Sequence, residues 1–151
     1  MEKKELSLYL KKYFHAHGFE KIKGRYYRNG NGFLCEIHPF KSYYGEIYYV
    51  HYHFFIGDFQ KPYVINRESV PTYTPCVSDR FRFTEDDGCD YQYIQYIHYD
   101  CDQMKIVLDK NMSLRILPPF QEGKKYLLDN FGKLYWTFAN RQEEILQLLS
   151  E

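Results

Sequence analysis

The sequence lacks any run of about 18 apolar residues of the kind that crosses a membrane as a helix. Its first residues form an amphipathic pattern without the apolar stretch and small-residue cleavage site of a signal peptide, so we expect a cytoplasmic protein with no membrane partner. An excess of one charge is also lacking, because Lys plus Arg and Asp plus Glu number 20 each. A nucleic-acid partner is therefore not expected.

Compact catalytic and metal-binding motifs are lacking too. The chain contains no Gly-x-Ser-x-Gly nucleophile motif, no His-Glu-x-x-His, and no glycine-rich phosphate loop ending in Gly-Lys-Ser/Thr. Its four cysteines form no Cys-x-x-Cys pair, and we expect free structural thiols. They are Cys35, Cys76, Cys89 and Cys101. We accordingly assign no catalytic residue, no metal ligand and no cofactor.

Aromatic residues are abundant, with 17 Tyr and 12 Phe among 151 residues. They are densest in the segment Tyr43–Phe59, where His51 and His53 alternate with aromatic side chains. A chain of this length and composition can bury a substantial core, so we interpret residues 1–151 as a single domain.

Periodicity predicts an N-terminal helix followed by a three-stranded meander. Leu6, Leu10, Tyr13 and Phe14 share one helical face, and Gly18 is a natural end to the helix. Two strands are then predicted over residues 23–28 and 33–38 around a tight turn, and a third over Glu46–Ile56. Consecutive strands joined by short turns favour an antiparallel sheet.

The middle of the chain is less regular. Residues 57–80 carry three prolines and no periodicity, which predicts a long surface excursion. A short strand is expected around Arg80–Phe83, a turn at residues 85–88, and a further strand over Tyr91–Tyr99.

The last third is predicted to be mainly helical. Asp100 and Gln103 resemble a capping box, although a hairpin within residues 103–117 is the alternative to a helix there. Pro118-Pro119 would end that helix, a second helical face runs from Phe120 to Phe131, and Asn140 with Glu143 would cap a last helix. The expected fold is α+β: an antiparallel sheet of four to five strands, an N-terminal helix, and a helical C-terminal third packed on the sheet.

Strand register converts this pattern into a candidate binding face. With Lys41 opposite Glu46, and Asn29 opposite Gly32, one face of the sheet is apolar and the other polar. The polar candidate binding face consists of Arg25, Tyr27, Glu36, His38, Tyr49, His51 and His53. In this register, Arg25, Glu36 and His51 form one row of directly opposed side chains.

Three interpretations of this candidate binding face are open. It is either the solvated side of a half-buried sheet, or a surface that binds a protein partner, because Tyr and Arg are enriched at interfaces. The function expected is a noncatalytic binding or interaction domain, of an immunity or regulatory type by analogy. The alternative is a small metal-dependent or acid/base hydrolase centred on Glu36, His38, His51 and His53.

Several segments, taken in order, resemble the bacterial family catalogued as domain of unknown function 4304. They are a helix ending in Gly18-Phe19, the segment 21–28, an aromatic strand after Lys41-Ser42, and Leu117-Pro118-Pro119-Phe120. Where that family tends to carry Gln before a basic residue and then Ser, this chain has Pro39-Phe40-Lys41-Ser42. The resemblance implies an α+β fold and a bacterial cytoplasmic protein, and it implies no activity, cofactor or catalytic residue.

Overall fold

A computed structural model describes residues 1–61, 63, 76–84 and 88–151. The predicted α+β fold is confirmed: an N-terminal helix and a helical C-terminal part accompany a five-stranded antiparallel sheet whose strands follow sequence order. The helix is α1 (Lys3–Ala16), and the strands are β1 (Glu20–Ile22), β2 (Arg25–Gly30), β3 (Phe33–Lys41), β4 (Tyr48–Ile56) and β5 (Cys76–Arg80).

Helix α1 forms as its periodicity predicts. Leu6, Leu10, Tyr13 and Phe14 are all buried against the sheet. Gly18 follows the helix with φ +84, a conformation that glycine adopts without steric cost. The chain can therefore turn back at once to begin the sheet.

Strand β1 was not predicted, and the expected strand start at residue 23 is wrong. Lys23 and Gly24 form a tight turn, with φ of 50 and 80, that joins β1 to β2. Lysine seldom occupies a turn position with positive φ, so the sequence offers little sign of this turn. The consequence is an additional edge strand beside α1.

The β2–β3 hairpin differs from its predicted register by two residues. Asn31 and Gly32 both have positive φ, as a two-residue turn of type I′ requires. Gly30 therefore lies opposite Phe33, and Tyr26 lies opposite Ile37 rather than Cys35 as expected. A shift of two residues leaves every side chain on its predicted face.

The β3–β4 hairpin shows the same shift. Lys41 lies opposite Tyr48 rather than Glu46, so the connecting loop is longer than predicted. Cys35 now faces Phe54, and Ile37 faces Tyr52. The division of β4 into a core side and a second side nevertheless holds, because alternate residues still point to opposite faces.

The segment after β4 departs most from expectation. Strand β5 occupies Cys76–Arg80, inside the range predicted as a surface excursion, while residue 62 and residues 64–75 lie outside the described part of the chain. The expected strand at Arg80–Phe83 is replaced by a two-stranded ribbon of β6 (Phe83–Thr84) and β7 (Asp90–Tyr91). The turn predicted at residues 85–88 falls mostly on residues outside the description.

The predicted strand Tyr91–Tyr99 is wrong. Only its first residue belongs to β7, and Tyr96–His98 form a 3₁₀ turn. Ile94 makes one antiparallel bridge to Tyr48, with hydrogen bonds of 2.9 and 3.0 Å between their backbones. Aromatic and β-branched residues here reflect burial rather than strand pairing, since Ile94 and Tyr96 are core residues.

Residues 103–117 are helical, as predicted, and do not form the alternative hairpin. Helix α2 (Cys101–Asn111) begins with a complete capping box, in which the Asp100 carboxylate accepts from the Gln103 backbone N–H at 2.8 Å. One π-helical segment (Met112–Ile116) then leads directly into α3 (Leu117–Glu122).

Pro118-Pro119 therefore does not end the helical region, contrary to expectation. The two prolines occupy the first positions of α3, where a missing N–H costs little. Gly123, with φ +77, separates α3 from α4 (Lys124–Asp129), so the helical face predicted for residues 120–131 is divided between two short helices.

The last helix is α5 (Gln142–Ser150), as predicted, but its start differs. Asn140 lies inside a preceding 3₁₀ turn, Ala139–Arg141, and no side chain caps α5. Its Ile145 and Leu149 pack into the main core. The C-terminal helices and α1 thus share one core with the sheet face that carries Tyr26, Ile37, Tyr52 and Phe54.

A buried polar group joins this core to the C-terminal helices. Arg115, in the π-helical segment, donates from Nη1 to the Tyr52 hydroxyl at 3.1 Å and lies 4.0 Å from the Asp79 carboxylate. The Tyr52 hydroxyl in turn donates to the Leu134 carbonyl at 2.5 Å. Arg115 is only 7% exposed, so these contacts are made inside the fold.

Candidate binding surface

The candidate binding face lies on the side of the sheet opposite the main core. Glu36 is directly opposite Tyr27 on one side and His53 on the other, and His38 is opposite His51. The seven predicted residues therefore do share one face. The predicted row is wrong in detail, because His51 is opposed by His38 and not by Glu36.

Arg25 and Glu36 nevertheless meet. The Arg25 guanidinium donates to the Glu36 carboxylate at 2.8 Å, and the Glu36 side chain is only 1% exposed. Burial raises the pKa of Glu36, while the hydrogen bond and charge of Arg25 act to lower it. An ion pair on an open sheet face would leave both groups solvated; here Arg25 compensates part of the cost of burying the carboxylate.

One end of the face is a second, smaller hydrophobic cluster. Tyr27, Leu34, Phe55 and Cys76 are buried there, and Phe59 is among the side chains that pack against them. The expectation that this face is simply the solvated side of the sheet is therefore wrong at this end. Sequence parity could not reveal the burial, because Phe59 comes from beyond the strands.

The histidines of this face are held neutral. Burial, helped by the positive charge of Arg80, lowers the pKa of His51 to about 3. Burial, with Arg25, lowers the pKa of His53 to about 4, and burial also lowers that of His38. Removing a charge from water is costly, so each ring stays unprotonated near neutral pH.

Arg80 lies at the other end of the candidate binding face, away from this hydrophobic cluster, and the sequence-based prediction of the face did not include it. It lies opposite His51 in the β4–β5 pairing, and its Nε donates to Nε2 of His51 at 2.6 Å. Its guanidinium also lies 4.8 Å from the centre of the Tyr49 ring and 3.3 Å from the Gln92 side-chain oxygen. The sequence could have placed Arg80 at the end of a strand, but it could not have placed it in this face without the pairing of β5 with β4.

Half-buried rings surround Arg80. Phe40 stacks on Tyr49 at 5.3 Å between ring centres and meets the edge of His51 at 4.7 Å, and Tyr93 lies 6.3 Å from Tyr49. We call this group the aromatic–arginine surface. It consists of Phe40, Tyr49, His51, Arg80 and Tyr93.

Two further tyrosines lie in the β3–β4 loop, which connects the strands that carry Phe40 and Tyr49. Tyr43 is 100% exposed and Tyr44 is 94% exposed, although both follow Phe40 closely in sequence. Neither ring contributes to a hydrophobic cluster of the fold. Two consecutive, almost fully exposed rings in a loop offer apolar surface that could contact another molecule.

The geometry supports the hydrolase alternative only in part. Glu36, His38, His51 and His53 form two neighbouring opposed pairs on β3 and β4, as it required. Within the described ranges, no group of three or more His, Cys, Asp or Glu side chains is arranged to hold a metal ion. The hydrolase function stays a prediction.

None of the four cysteines forms a disulfide, as expected, but only half of them are buried. Cys35 and Cys76 lie in the two hydrophobic clusters, whereas Cys89 and Cys101 are exposed. Burial raises the pKa of the Cys76 thiol to about 11, and burial also raises that of Cys35, so neither is a reactive thiolate near neutral pH.

No helix in the described part of the chain is both long enough and apolar enough to span a lipid bilayer. The resemblance to the domain of unknown function 4304 family stays a prediction. Comparison of this chain with protein-family models, with curated proteins and with solved structures yields no match.

Proposed function

We propose that this chain is a noncatalytic protein-interaction domain of a bacterial cytoplasmic protein, and that the aromatic–arginine surface with the Tyr43-Tyr44 loop is its interface. The observation that carries the proposal is the almost full exposure of Tyr43 and Tyr44 in the loop that joins the strands of Phe40 and Tyr49, with Arg80 over the Tyr49 ring. Tyr and Arg supply much of the binding energy at protein interfaces, where rigid rings offer contact area at a low entropic cost.

The charges of this surface favour a partner that presents a carboxylate. In the described part of the chain, Arg80 contacts a histidine, a glutamine side chain and a tyrosine ring, but the side chain of no Asp or Glu lies within 4 Å of its guanidinium. Arg25, in contrast, is already paired with Glu36. An arginine among aromatic rings, without a carboxylate partner in the described part of the chain, suits an acidic protein surface better than the repeated phosphates of a nucleic acid.

The hydrogen bond from Arg80 also supports a noncatalytic role. It occupies the lone pair of His51 Nε2, so that nitrogen cannot accept a proton from a substrate in this arrangement. An immunity or regulatory role would use such a surface to bind and block a second protein. That assignment rests on analogy with other small bacterial domains.

Affinity capture with four purified forms tests the proposal. Wild type should retain a stoichiometric partner, while the pair Tyr43→Ala and Tyr44→Ala, and separately Arg80→Gln, should lose it. The tyrosine pair is exposed, so its fold should persist. A matched control, Phe138→Ala with Lys133→Gln, removes an exposed ring and an exposed cation elsewhere and should retain the partner. Equal retention by all forms would contradict this interface.

A further inference from the structure

A groove lies between α1 and the β1 edge of the sheet, apart from the aromatic–arginine surface. This groove has a volume of about 790 Å³, within the range of about 300–1,000 Å³ typical of small-molecule sites. Its walls are one face of α1 and the start of β1, and Tyr26 of β2 contributes to its floor. No residue belongs to both regions.

The floor of the groove is apolar. Phe19 and Tyr26 form its base and are only 2% and 4% exposed, so the apolar surface open to a ligand comes mainly from Leu8 and the aliphatic stems of the lysines. Leu8 stands on the rim and is 59% exposed. It lies on a different face of α1 from Leu6 and Leu10, so the core does not account for this leucine.

The rim is strongly basic. Lys11, Lys12, Lys21 and Lys61 line the groove with a single acidic residue, Glu20, which gives a net charge of +3 (four lysines less one glutamate) in a chain whose net charge is zero. Glu20 is already bound to Lys61 at 2.9 Å.

Three lysines therefore remain for a ligand. In the described part of the chain, Lys11, Lys12 and Lys21 have no carboxylate within 4 Å. Lys11 and Lys12 follow Leu8 on one helical face, at spacings of three and four residues. The Lys21 amine lies 5.9 Å from the centre of the Tyr26 ring, above the floor.

We propose that this groove binds a small amphipathic carboxylate, such as a medium-chain fatty acid. Its apolar body would cover Leu8 and the lysine stems above Phe19 and Tyr26, and its carboxylate would face the amines of Lys11, Lys12 and Lys21. Burial of a hydrocarbon against Leu8 and these stems favours the tail, and the positive charge of the lysines favours the carboxylate. An acidic peptide would satisfy the lysines but would leave Leu8 in contact with polar backbone.

Calorimetric titration with dodecanoate, below its micelle concentration, tests this inference. Saturable one-to-one binding is expected to wild type, with no detectable binding of acetate, which lacks the apolar body. Dodecyltrimethylammonium has a similar tail and the opposite charge, and it should bind at least about tenfold more weakly. Absence of dodecanoate binding at about 1 mM, or equal binding of the cationic amphiphile, would overturn the proposal.

Variants locate the binding in the groove. Lys11→Glu with Lys12→Glu should weaken dodecanoate binding about tenfold or more, and Leu8→Asn should weaken it several-fold. The control Lys125→Glu with Lys133→Glu makes the same change in net charge at exposed positions elsewhere and should leave the affinity within about twofold. Circular dichroism confirms that each form is folded. An equal loss in the control, unchanged binding in the groove variants, or tighter binding of deca-glutamate than of dodecanoate would each overturn the proposal.

Discussion

Arg80 donates a 2.6 Å hydrogen bond from Nε to Nε2 of His51, directly across the β4–β5 pair. An arginine is always a donor, so His51 must be neutral and must carry its proton on Nδ1. The contact aligns the arginine over Tyr49 and makes the histidine a structural acceptor rather than a charged group. It links the centre of the proposed interface to the pH response of the fold.

Lowering the pH should destabilise the protein through His51. Its native pKa is about 3 and its ordinary value is 6.5, so the unfolded chain binds the proton first. The free energy of unfolding should therefore fall as the pH decreases from about 6.5 towards 3, by at most about 1.4 kcal/mol per pH unit for this group. Between pH 7.5 and 5, wild type should lose about 1–2 kcal/mol more than His51→Gln, as measured by urea unfolding.

Other groups of the face contribute to the same titration. His38 and His53 act in the same direction, and Glu36, whose pKa is raised, opposes them at the acidic end. They are present in both proteins, as are Arg25 and Arg80, so the difference between the two slopes reports His51. Replacement of the exposed His15 by Gln is the control, and an equal change of slope there would contradict the assignment.

His53→Phe should leave the protein as stable as wild type or stabilise it by about 1 kcal/mol at pH 7. Nδ1 of His53 is buried without a hydrogen-bond partner in the described structure, so the substitution removes an uncompensated polar atom. The ring itself stacks on Phe55 at 5.9 Å, and phenylalanine preserves that contact. Thermal unfolding compares this variant with His53→Ala, which loses the ring and should be clearly less stable.

Arg25→Met should destabilise the protein by about 1–3 kcal/mol, because it removes the 2.8 Å ion pair with the buried Glu36 carboxylate. Adding Glu36→Gln should recover part of the loss, which chemical denaturation of the single and double variants would measure. The exposed pair of Lys61 with Glu20 is the comparison, and Lys61→Met should cause no measurable change. Additive effects at Arg25 and Glu36 would contradict the coupling.

Tyr52→Phe should cost about 1–3 kcal/mol of stability, because the lost hydroxyl both donates to the Leu134 carbonyl and accepts from Arg115. The ring remains in place, so the measured loss reports the hydrogen bonds. Tyr43→Phe removes a hydroxyl from a fully exposed ring and should change stability by less than about 0.5 kcal/mol in the same denaturation experiment. Equal effects would show that the buried hydroxyl is not important.

Gly32→Ala should destabilise the β2–β3 hairpin by about 1 kcal/mol. Gly32 has φ +86, and an added Cβ meets no atom within 4 Å, so the cost is conformational rather than steric crowding. Asparagine tolerates this backbone conformation better, and Gly32→Asn should therefore lie between alanine and wild type. An alanine variant as stable as wild type would contradict a type I′ turn at Asn31-Gly32.

Local pattern determined much of the fold. The spacing of Leu6, Leu10, Tyr13 and Phe14 defines α1, Asp100 with Gln103 defines the start of α2, and alternation assigns the two faces of β4. These features depend on residues close in sequence, whose period is set by backbone geometry alone. The α+β class and the membership of the candidate binding face follow from them.

Only the tertiary structure decided how those elements meet. A shift of two residues keeps Cys35 and Phe54 on the core face, so hydrophobic alternation cannot distinguish the predicted register from the observed one. The burial of Glu36 and the partnership of His51 with Arg80 depend on strands and side chains distant in sequence. The sequence by itself therefore determined which residues share a face, while long-range packing decided which of them touch, because contact is set by register and burial rather than by period.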